Sequence, residues 1–244
     1  MSEHEIPVET RDGVMTTFVV HPDEGGPFPV AFLYHDGIGY REQVKENARR
    51  FAAGGYFVVV PDLFYREGET LSFDPMRSRS DEAYRAELMR VIGSVTPDGV
   101  LRDTDAALEP VSGDPAAATG PMVCVGYCMG ARLALHAASA RPDEFVAASC
   151  IHPGTLSTDE LPEIRGEVLV AFAEVDQSVT GEDVDEFRRA FEAAGVEGVV
   201  ERWPGTHGFA MADLPVYDED ASERHFARTL ELWQRGLSRE RASA

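Results

Sequence analysis

The residues Gly126-Tyr127-Cys128-Met129-Gly130 decide the fold of this chain, because of the segments on either side of them. A short apolar run, residues 122–125, comes before them, and an alanine-rich segment with helical spacing, residues 129–140, follows. Two glycines that flank a nucleophile between a strand and a helix are typical of a tight turn that exposes its central side chain. The pattern therefore predicts Cys128 as a nucleophile at the tip of such a turn.

Short strand-like runs alternate with helical segments along the rest of the chain. The predicted strands are residues 16–20, 30–34, 56–60, 145–149, 167–172 and 199–203, and the predicted helices are 40–53, 81–95, 101–108, 182–194 and 221–237. This alternation favours an α/β fold, a mostly parallel sheet with helices on both faces. The polar stretch 62–75 is predicted as a loop or cap over a pocket. At 244 residues without a repeat or linker, the chain is expected to be one domain, 1–244.

The charge balance excludes several partners. The chain has 43 Asp and Glu against 22 Lys and Arg, a formal net charge of −21. This charge repels phosphate backbones and anionic lipids, so we expect neither a nucleic-acid nor a membrane partner. The N-terminus lacks the basic start and apolar core of a signal peptide, so we expect a cytoplasmic protein. We expect a monomer or a small homo-oligomer.

The chain has three cysteines, which cannot all pair in disulfides and which form no paired CxxC zinc motif. Cys124 and Cys150 are predicted to be buried and to pack as small hydrophobic residues, which is also the alternative for Cys128. The sequence has no HxH or HExxH motif and no carboxylate cluster, so we expect no metal and no cofactor.

Two polar residues follow Cys128 in the order nucleophile, acid, histidine that is used by α/β-hydrolases. Asp176 comes just after one predicted strand and His207 just after another. His207 is the predicted proton carrier, and Asp176 is predicted to fix the tautomer of its imidazole. Glu174 is the nearest alternative to Asp176.

The remaining site predictions concern the surroundings of the sulfur. A helix that begins after Cys128 favours the thiolate form. The amides of Met129 and Gly37 are predicted to hold the oxyanion of the reaction. His35 and His152 stand at the carboxyl ends of predicted strands, where the sites of α/β proteins open, so both are candidates for the pocket wall.

Four motifs, HDGIG at 35–39, PDLFYR at 61–66, GYCMG at 126–130 and GTHGFA at 205–210, resemble those of the dienelactone hydrolases. The resemblance spans nearly the whole chain. It implies an α/β-hydrolase fold and hydrolysis of ester or lactone bonds by a Cys-His-Asp triad without a cofactor.

The resemblance also implies roles for particular residues. In the family, a carboxylate after the first long strand takes the proton of the thiol; Asp36 stands there in place of the usual glutamate. The family holds its substrate's carboxylate with arginines, one of them four residues after the catalytic histidine, where this chain has Met211. Arg79 could supply the other one, although it is as readily a solvated surface charge. We also assign Tyr84 and Tyr127 to the substrate pocket.

These residues together predict a hydrolase of ester or lactone bonds that forms a thioester on Cys128. Because the carboxylate clamp is reduced, neutral esters become credible substrates, as for a carboxylesterase or thioesterase. The alternatives are a ligand-binding protein of the same fold without catalysis, and a redox protein that uses Cys128 with Cys124.

Overall fold

The structure is a computed structural model that describes residues 1–68 and 70–243, apart from the side chains of Arg79 and Ser243. Its described strands are β1 (Ser2–Thr10), β2 (Gly13–His21), β3 (Val30–Tyr34), β4 (Phe57–Pro61), β5 (Met122–Tyr127), β6 (Phe145–Ile151), β7 (Glu167–Val175) and β8 (Gly198–Thr206). They form one sheet in the order β1-β2-β4-β3-β5-β6-β7-β8. Strands β3 to β8 run parallel, while β1 and β2 are antiparallel to their neighbours.

The described helices are α1 (Glu42–Ala53), α2 (Arg77–Ser80), α3 (Glu82–Ser94), α4 (Pro97–Ser112), α5 (Met129–Ala140), α6 (Gly181–Ala194) and α7 (Glu219–Ser243). Alternate side chains of one strand show how they cover the sheet. Val59 of β4 packs in the cluster that contains α4, α5 and α6, whereas Val58 and Val60 pack in the cluster of α1 and α7. The predicted mostly parallel sheet with helices on both faces is confirmed.

The first strand was not predicted from the sequence. β1 is an edge strand in which only Val8 is buried, so it carries little apolar signal. It is held by nine backbone pairs to β2, across a two-residue loop at Arg11 and Asp12. The available clue was Asp12 in the loop and Gly13 directly after it, two residue types that are common in turns.

Helix α4 is longer than the prediction 101–108 because its start depends on capping. The Thr96 hydroxyl accepts a hydrogen bond from the amide of Gly99 at 3.2 Å, and Pro97 occupies the first turn, where its missing N–H costs nothing. Of the helices in the described ranges, none is both long and apolar enough to cross a membrane.

The parallel strands direct the chain toward one edge of the sheet. Cys128, His152 and Asp176 come directly after β5, β6 and β7, and His207 directly after β8. Since the carboxyl ends of parallel strands meet at the same edge, residues from distant parts of the sequence converge there.

Candidate active site

Cys128 lies on a strained turn between β5 and α5. Its φ of 51° and ψ of −110° lie in a region that side chains rarely adopt, and its amide donates to the carbonyl of Ile151 at 3.0 Å. The two flanking glycines have a packing reason: a Cβ on Gly126 would lie 1.9 Å from the oxygen of Gly130, and one on Gly130 would lie 2.1 Å from the oxygen of Tyr34. The strand and the helix therefore approach as closely as the sequence pattern predicts.

His207 and Asp176 meet at the end of the sheet, 31 residues apart in sequence. The Nδ1 atom of His207 lies 2.6 Å from Oδ2 of Asp176. The other oxygen of Asp176 accepts hydrogen bonds from the amide and hydroxyl of Ser178, at 2.8 and 2.7 Å. Asp176, and not Glu174, is thus the partner of the histidine.

Burial and hydrogen bonding set the charges of this pair. Burial opposes ionisation of Asp176, but the hydrogen bonds from His207 and Ser178 lower its pKa to about 2. Burial likewise opposes protonation of His207, but its hydrogen bond with Asp176 and the nearby sulfur of Cys128 raise its pKa to about 10. The Cys128 sulfur is therefore next to an imidazole that holds a proton at neutral pH and can transfer it.

An apolar cavity of about 210 Å³ opens beside the sulfur. Its lining residues are Asp36, Gly37, Ile38, Leu88, Ile92, Cys128, His152, His207, Gly208 and Leu214. None of these residues is Lys or Arg. A neutral ligand is consequently a better match to the walls than an anion.

Of the two predicted oxyanion donors, Gly37 lines the cavity, and Met129 directly follows the cavity-lining Cys128. A Cβ on Gly37 would lie 2.5 Å from Cδ1 of Ile92. Met129 is the first residue of α5, where a helix leaves its amide without an acceptor inside the helix.

Asp36 is in the cavity wall, but its carboxylate is held by other groups. Arg41 donates to both of its oxygens, at 2.7 and 3.0 Å, and the amide of Ile38 donates at 3.1 Å. Arg41 also binds Asp213 through two hydrogen bonds of 2.6 and 3.0 Å. One guanidinium thus ties the loop after β3 to the loop after His207.

Not all of the predicted pocket residues reach the cavity. His152 lines it, whereas His35 is fully buried and bonds to the carbonyl of Asp36 and the amide of Leu63. Burial lowers the pKa of His35 to about 4, so it remains a neutral link between two strand ends. Tyr127 is also fully buried, and its hydroxyl lies 3.0 Å from Nε2 of His225. Its side chain does not reach the cavity because it points to the opposite face of the sheet from that of Cys124.

Tyr84 accepts a hydrogen bond from the amide of Asp74 at 2.8 Å and packs against Phe73, outside the cavity wall. Its hydroxyl is used to hold the connection before α2. The side chain of Arg79 lies outside the described residues, so its predicted contact with substrate remains a prediction.

Sequence reasoning missed Arg41 and the apolar wall. Arg41 belongs to no catalytic motif, and its meaning depends on Asp213, 172 residues away. Leu88 and Ile92 are four apart on a helix that was predicted, but only the fold shows that their face meets the cavity. In the described part of the chain, no group of three His, Cys, Asp or Glu side chains could hold a metal ion.

The two remaining cysteines are buried, as predicted. The thiol of Cys124 lies 3.6 Å from the carbonyl oxygen of Ala134, and that of Cys150 lies 3.3 Å from that of Ala131. Burial raises the pKa of both thiols far above the usual range, so neither is a ready thiolate.

Comparisons with known proteins identify relatives of this chain. Residues 15–237 match the model of the dienelactone hydrolase family. A Methylorubrum extorquens protein named provisionally as a carboxymethylenebutenolidase is 26% identical over 241 residues, which cover 95% of this chain and 80% of that protein. A carboxymethylenebutenolidase of Pseudomonas sp. is 26% identical over 215 residues, which cover 86% of each protein.

A solved structure is similar over almost the whole length. The crystal structure of a Klebsiella pneumoniae protein, described provisionally as a dienelactone hydrolase, has a TM-score of 0.82 and 21% sequence identity. The alignment covers 96% of this chain and 98% of that one. At this identity the likeness concerns the fold, and it agrees with the predicted α/β-hydrolase architecture.

Proposed function

Because this chain belongs to the dienelactone hydrolase family, we propose that it hydrolyses carboxylic esters or lactones, with Cys128 as its nucleophile and a thioester as its intermediate. One observation carries the proposal. Cys128, on a strained turn, lines the same cavity as His207. The Nδ1 atom of His207 lies 2.6 Å from Oδ2 of Asp176. This arrangement of nucleophile, proton carrier and orienting carboxylate suits acyl transfer.

In the first half of the reaction, the sulfur attacks the carbonyl carbon of the ester. The proton that the thiol and His207 share is on the imidazole when the sulfur attacks, and His207 passes it to the leaving oxygen as the C–O bond breaks. Asp176 holds the imidazole so that Nε2 faces the sulfur and the leaving group. The amides of Met129 and Gly37 are the proposed donors to the oxyanion.

In the second half, water attacks the thioester carbon and the C–S bond breaks. His207 takes a proton from the water and returns it to the sulfur, which restores the thiol and releases the carboxylic acid. No metal or redox step is needed in this scheme. Esters with good leaving groups suit a thiolate nucleophile better than amides do.

We propose neutral esters or lactones as the substrate class. A carboxymethylenebutenolidase relative suggests lactone chemistry, but the cavity wall of this chain has no lysine or arginine among its described residues. Arg41, the nearest guanidinium we identify, is already bound to two carboxylates. An anionic substrate would therefore find no lysine or arginine in the cavity wall to pair with its carboxylate, which favours a neutral acyl group.

We propose that Asp36 positions the loop that carries Gly37. The bidentate ion pair with Arg41 supports this role over the proton transfer that the family resemblance implies, because Asp36 would have to leave Arg41 to reach the sulfur.

Hydrolysis of p-nitrophenyl acetate, before and after iodoacetamide, tests the proposal. We expect activity in the wild type, loss of activity after alkylation, and loss by about 1,000-fold or more in Cys128→Ala. The matched control is Cys124→Ser, which alters a buried thiol of the same strand region and should keep most of the activity. Activity that survives in Cys128→Ala, or that disappears in Cys124→Ser with the fold intact, would contradict the proposal.

A further inference from the structure

His152 has an arrangement that the reaction scheme above does not use. It follows β6 with a φ of 37°, its amide donates to the carbonyl of Ala171 at 2.8 Å, and the residue borders the cavity. The residue is 0% exposed, and neither ring nitrogen has a hydrogen-bond partner in the protein. Within the described residues, it is the one side chain with two buried polar atoms in this condition.

The other fully buried histidines differ from His152 in this respect. His35 uses both ring nitrogens, one with the carbonyl of Asp36 and one with the amide of Leu63. His225 uses both, one with the carbonyl of Ser222 and one with the hydroxyl of Tyr127. Buried polar groups are normally paired, so an unpaired imidazole in a cavity wall points to a partner that arrives with the ligand or the solvent.

The ring of His152 is adjacent to that of His207. The two centroids are 5.3 Å apart with an interplanar angle of 61°. The second face of His152 packs on Phe209, with centroids 5.1 Å apart, which fixes the ring.

Burial and the nearby His207 and His225 hold the pKa of His152 well below its usual range. The ring is therefore neutral at physiological pH, with one N–H donor and one nitrogen that accepts. With so low a pKa the imidazole is a weak base, so its free nitrogen accepts a hydrogen bond without competing with His207 for a proton.

We propose that the unpartnered, cavity-lining His152 accepts a hydrogen bond from the hydrolytic water and so orients it for deacylation. The inference rests on the proposed function and concerns its second half. A water that attacks the thioester has two O–H groups. His207 accepts one and takes its proton, and His152 accepts the other, which turns the lone pair of the oxygen toward the acyl carbon.

The balance of the step is that of ordinary thioester hydrolysis. The C–O bond forms between water and the acyl carbon, the C–S bond breaks, and the proton on His207 moves to the sulfur. His152 gains and loses no proton. Acylation needs no such water, so His152 should matter for the second half of the reaction and little for the first.

The test is a pre-steady-state burst of p-nitrophenyl acetate hydrolysis with His152→Phe and His152→Asn. The phenyl ring keeps the bulk without the nitrogens. Asparagine tolerates a positive φ and keeps a short polar group, so it serves as a second variant if His152→Phe folds poorly. Ser149→Ala is the matched control, because Ser149 also has a buried, unpartnered oxygen on β6 but does not line the cavity.

We expect the acylation burst of His152→Phe to stay within about threefold of the wild type, while deacylation slows by about 10- to 100-fold. The acyl-enzyme should then accumulate on intact-mass analysis, and kcat should become equal for p-nitrophenyl and phenyl acetate. His152→Asn should retain a larger part of the deacylation rate, and Ser149→Ala all of it.

Two results would overturn the inference while leaving the proposed function in place. One is a deacylation rate equal to that of the wild type in both folded His152 variants. The other is an acylation rate that falls by as much as the deacylation rate. A wild-type protein that forms no acyl adduct on Cys128 would instead overturn the proposed function, and the inference with it.

Discussion

At the residue scale, the hydrogen bond between His207 and Asp176 ties the stability of the fold to pH. The pKa of Asp176 is lowered to about 2 from 3.8. Its ionised form therefore adds to the free energy of unfolding above pH 3.8, and this addition is lost as the pH falls through 2. The pKa of His207 is raised to about 10 from 6.5, so its contribution is present below pH 6.5 and is lost as the pH rises through 10.

We therefore expect the melting temperature of Asp176→Asn to fall below that of the wild type, with the largest gap between about pH 4 and pH 6.5. The gap should close as the pH rises through 10. Thermal unfolding followed by circular dichroism across this range measures it. Asp159→Asn, in an exposed loop, is the control and should show no such profile. A gap that is constant with pH would contradict the paired charges.

Asp36 provides a second residue-scale prediction. Its side chain is 4% exposed and that of Arg41 is 11% exposed, so their ion pair is buried. Removing one partner of a buried ion pair typically costs about 3–5 kcal/mol of unfolding free energy. Because Arg41 would still be paired with Asp213, we expect Asp36→Asn to lower the free energy of unfolding by about 1–3 kcal/mol. Urea denaturation measures this loss, and Arg41→Gln should show a similar one.

The effect on the reaction separates the two roles of Asp36. A positioning residue predicts an acylation rate within about tenfold of the wild type in stopped-flow. A thiol base predicts a fall of about 100-fold or more with little change in stability. The second pattern would overturn the role that we propose for Asp36.

The sequence predicts the positions of some site residues and not of others, because only some of them stand in motifs with a fixed local geometry. Cys128, Asp176 and His207 stand in motifs whose order and spacing predict where they lie, and the structure brings them to one end of the sheet. The positions of Tyr127 and Tyr84 depend on which face of a strand or helix they occupy, so they could not be read from a motif. Arg41 acquires its partners only through the fold, because Asp36 and Asp213 approach it from two loops.

At the element scale, the turn between β5 and α5 depends on close approach at its glycines. A Cβ on Gly130 would lie 2.1 Å from a backbone oxygen that cannot yield. We expect Gly130→Ala to lose about 3 kcal/mol or more of unfolding free energy, at the upper end of overpacking effects, together with its activity. Gly93→Ala, on an exposed position of α3 with no neighbour within 4 Å, should gain about 0.5–1 kcal/mol.

Denaturant unfolding of the two alanine variants checks this contrast. Equal stabilities would mean that strand and helix do not meet at Gly130 as described.

The same turn was predictable because its glycines are required by local geometry. Strand β1 was not, since an edge strand is held by backbone pairs that leave little trace in the side chains.

At the scale of the whole molecule, the net charge of −21 and the apolar cavity act in the same direction on substrate choice. We expect kcat/KM for neutral p-nitrophenyl butyrate to exceed that for the anionic hemisuccinate ester by about tenfold or more at low ionic strength. Long-range repulsion contributes part of this difference in kcat/KM. That part should become smaller when added salt shortens the Debye length from about 30 Å to about 8 Å. A preference for the anionic ester would contradict a neutral substrate class.

The most direct test of the central claim is intact-mass spectrometry of the wild-type protein, quenched in acid during turnover of p-nitrophenyl acetate. The account predicts one acetyl group per chain, located by peptide mapping on Cys128 and released by hydroxylamine as a thioester would be. Turnover without any such adduct, or an adduct on another residue that persists in Cys128→Ala, would contradict it.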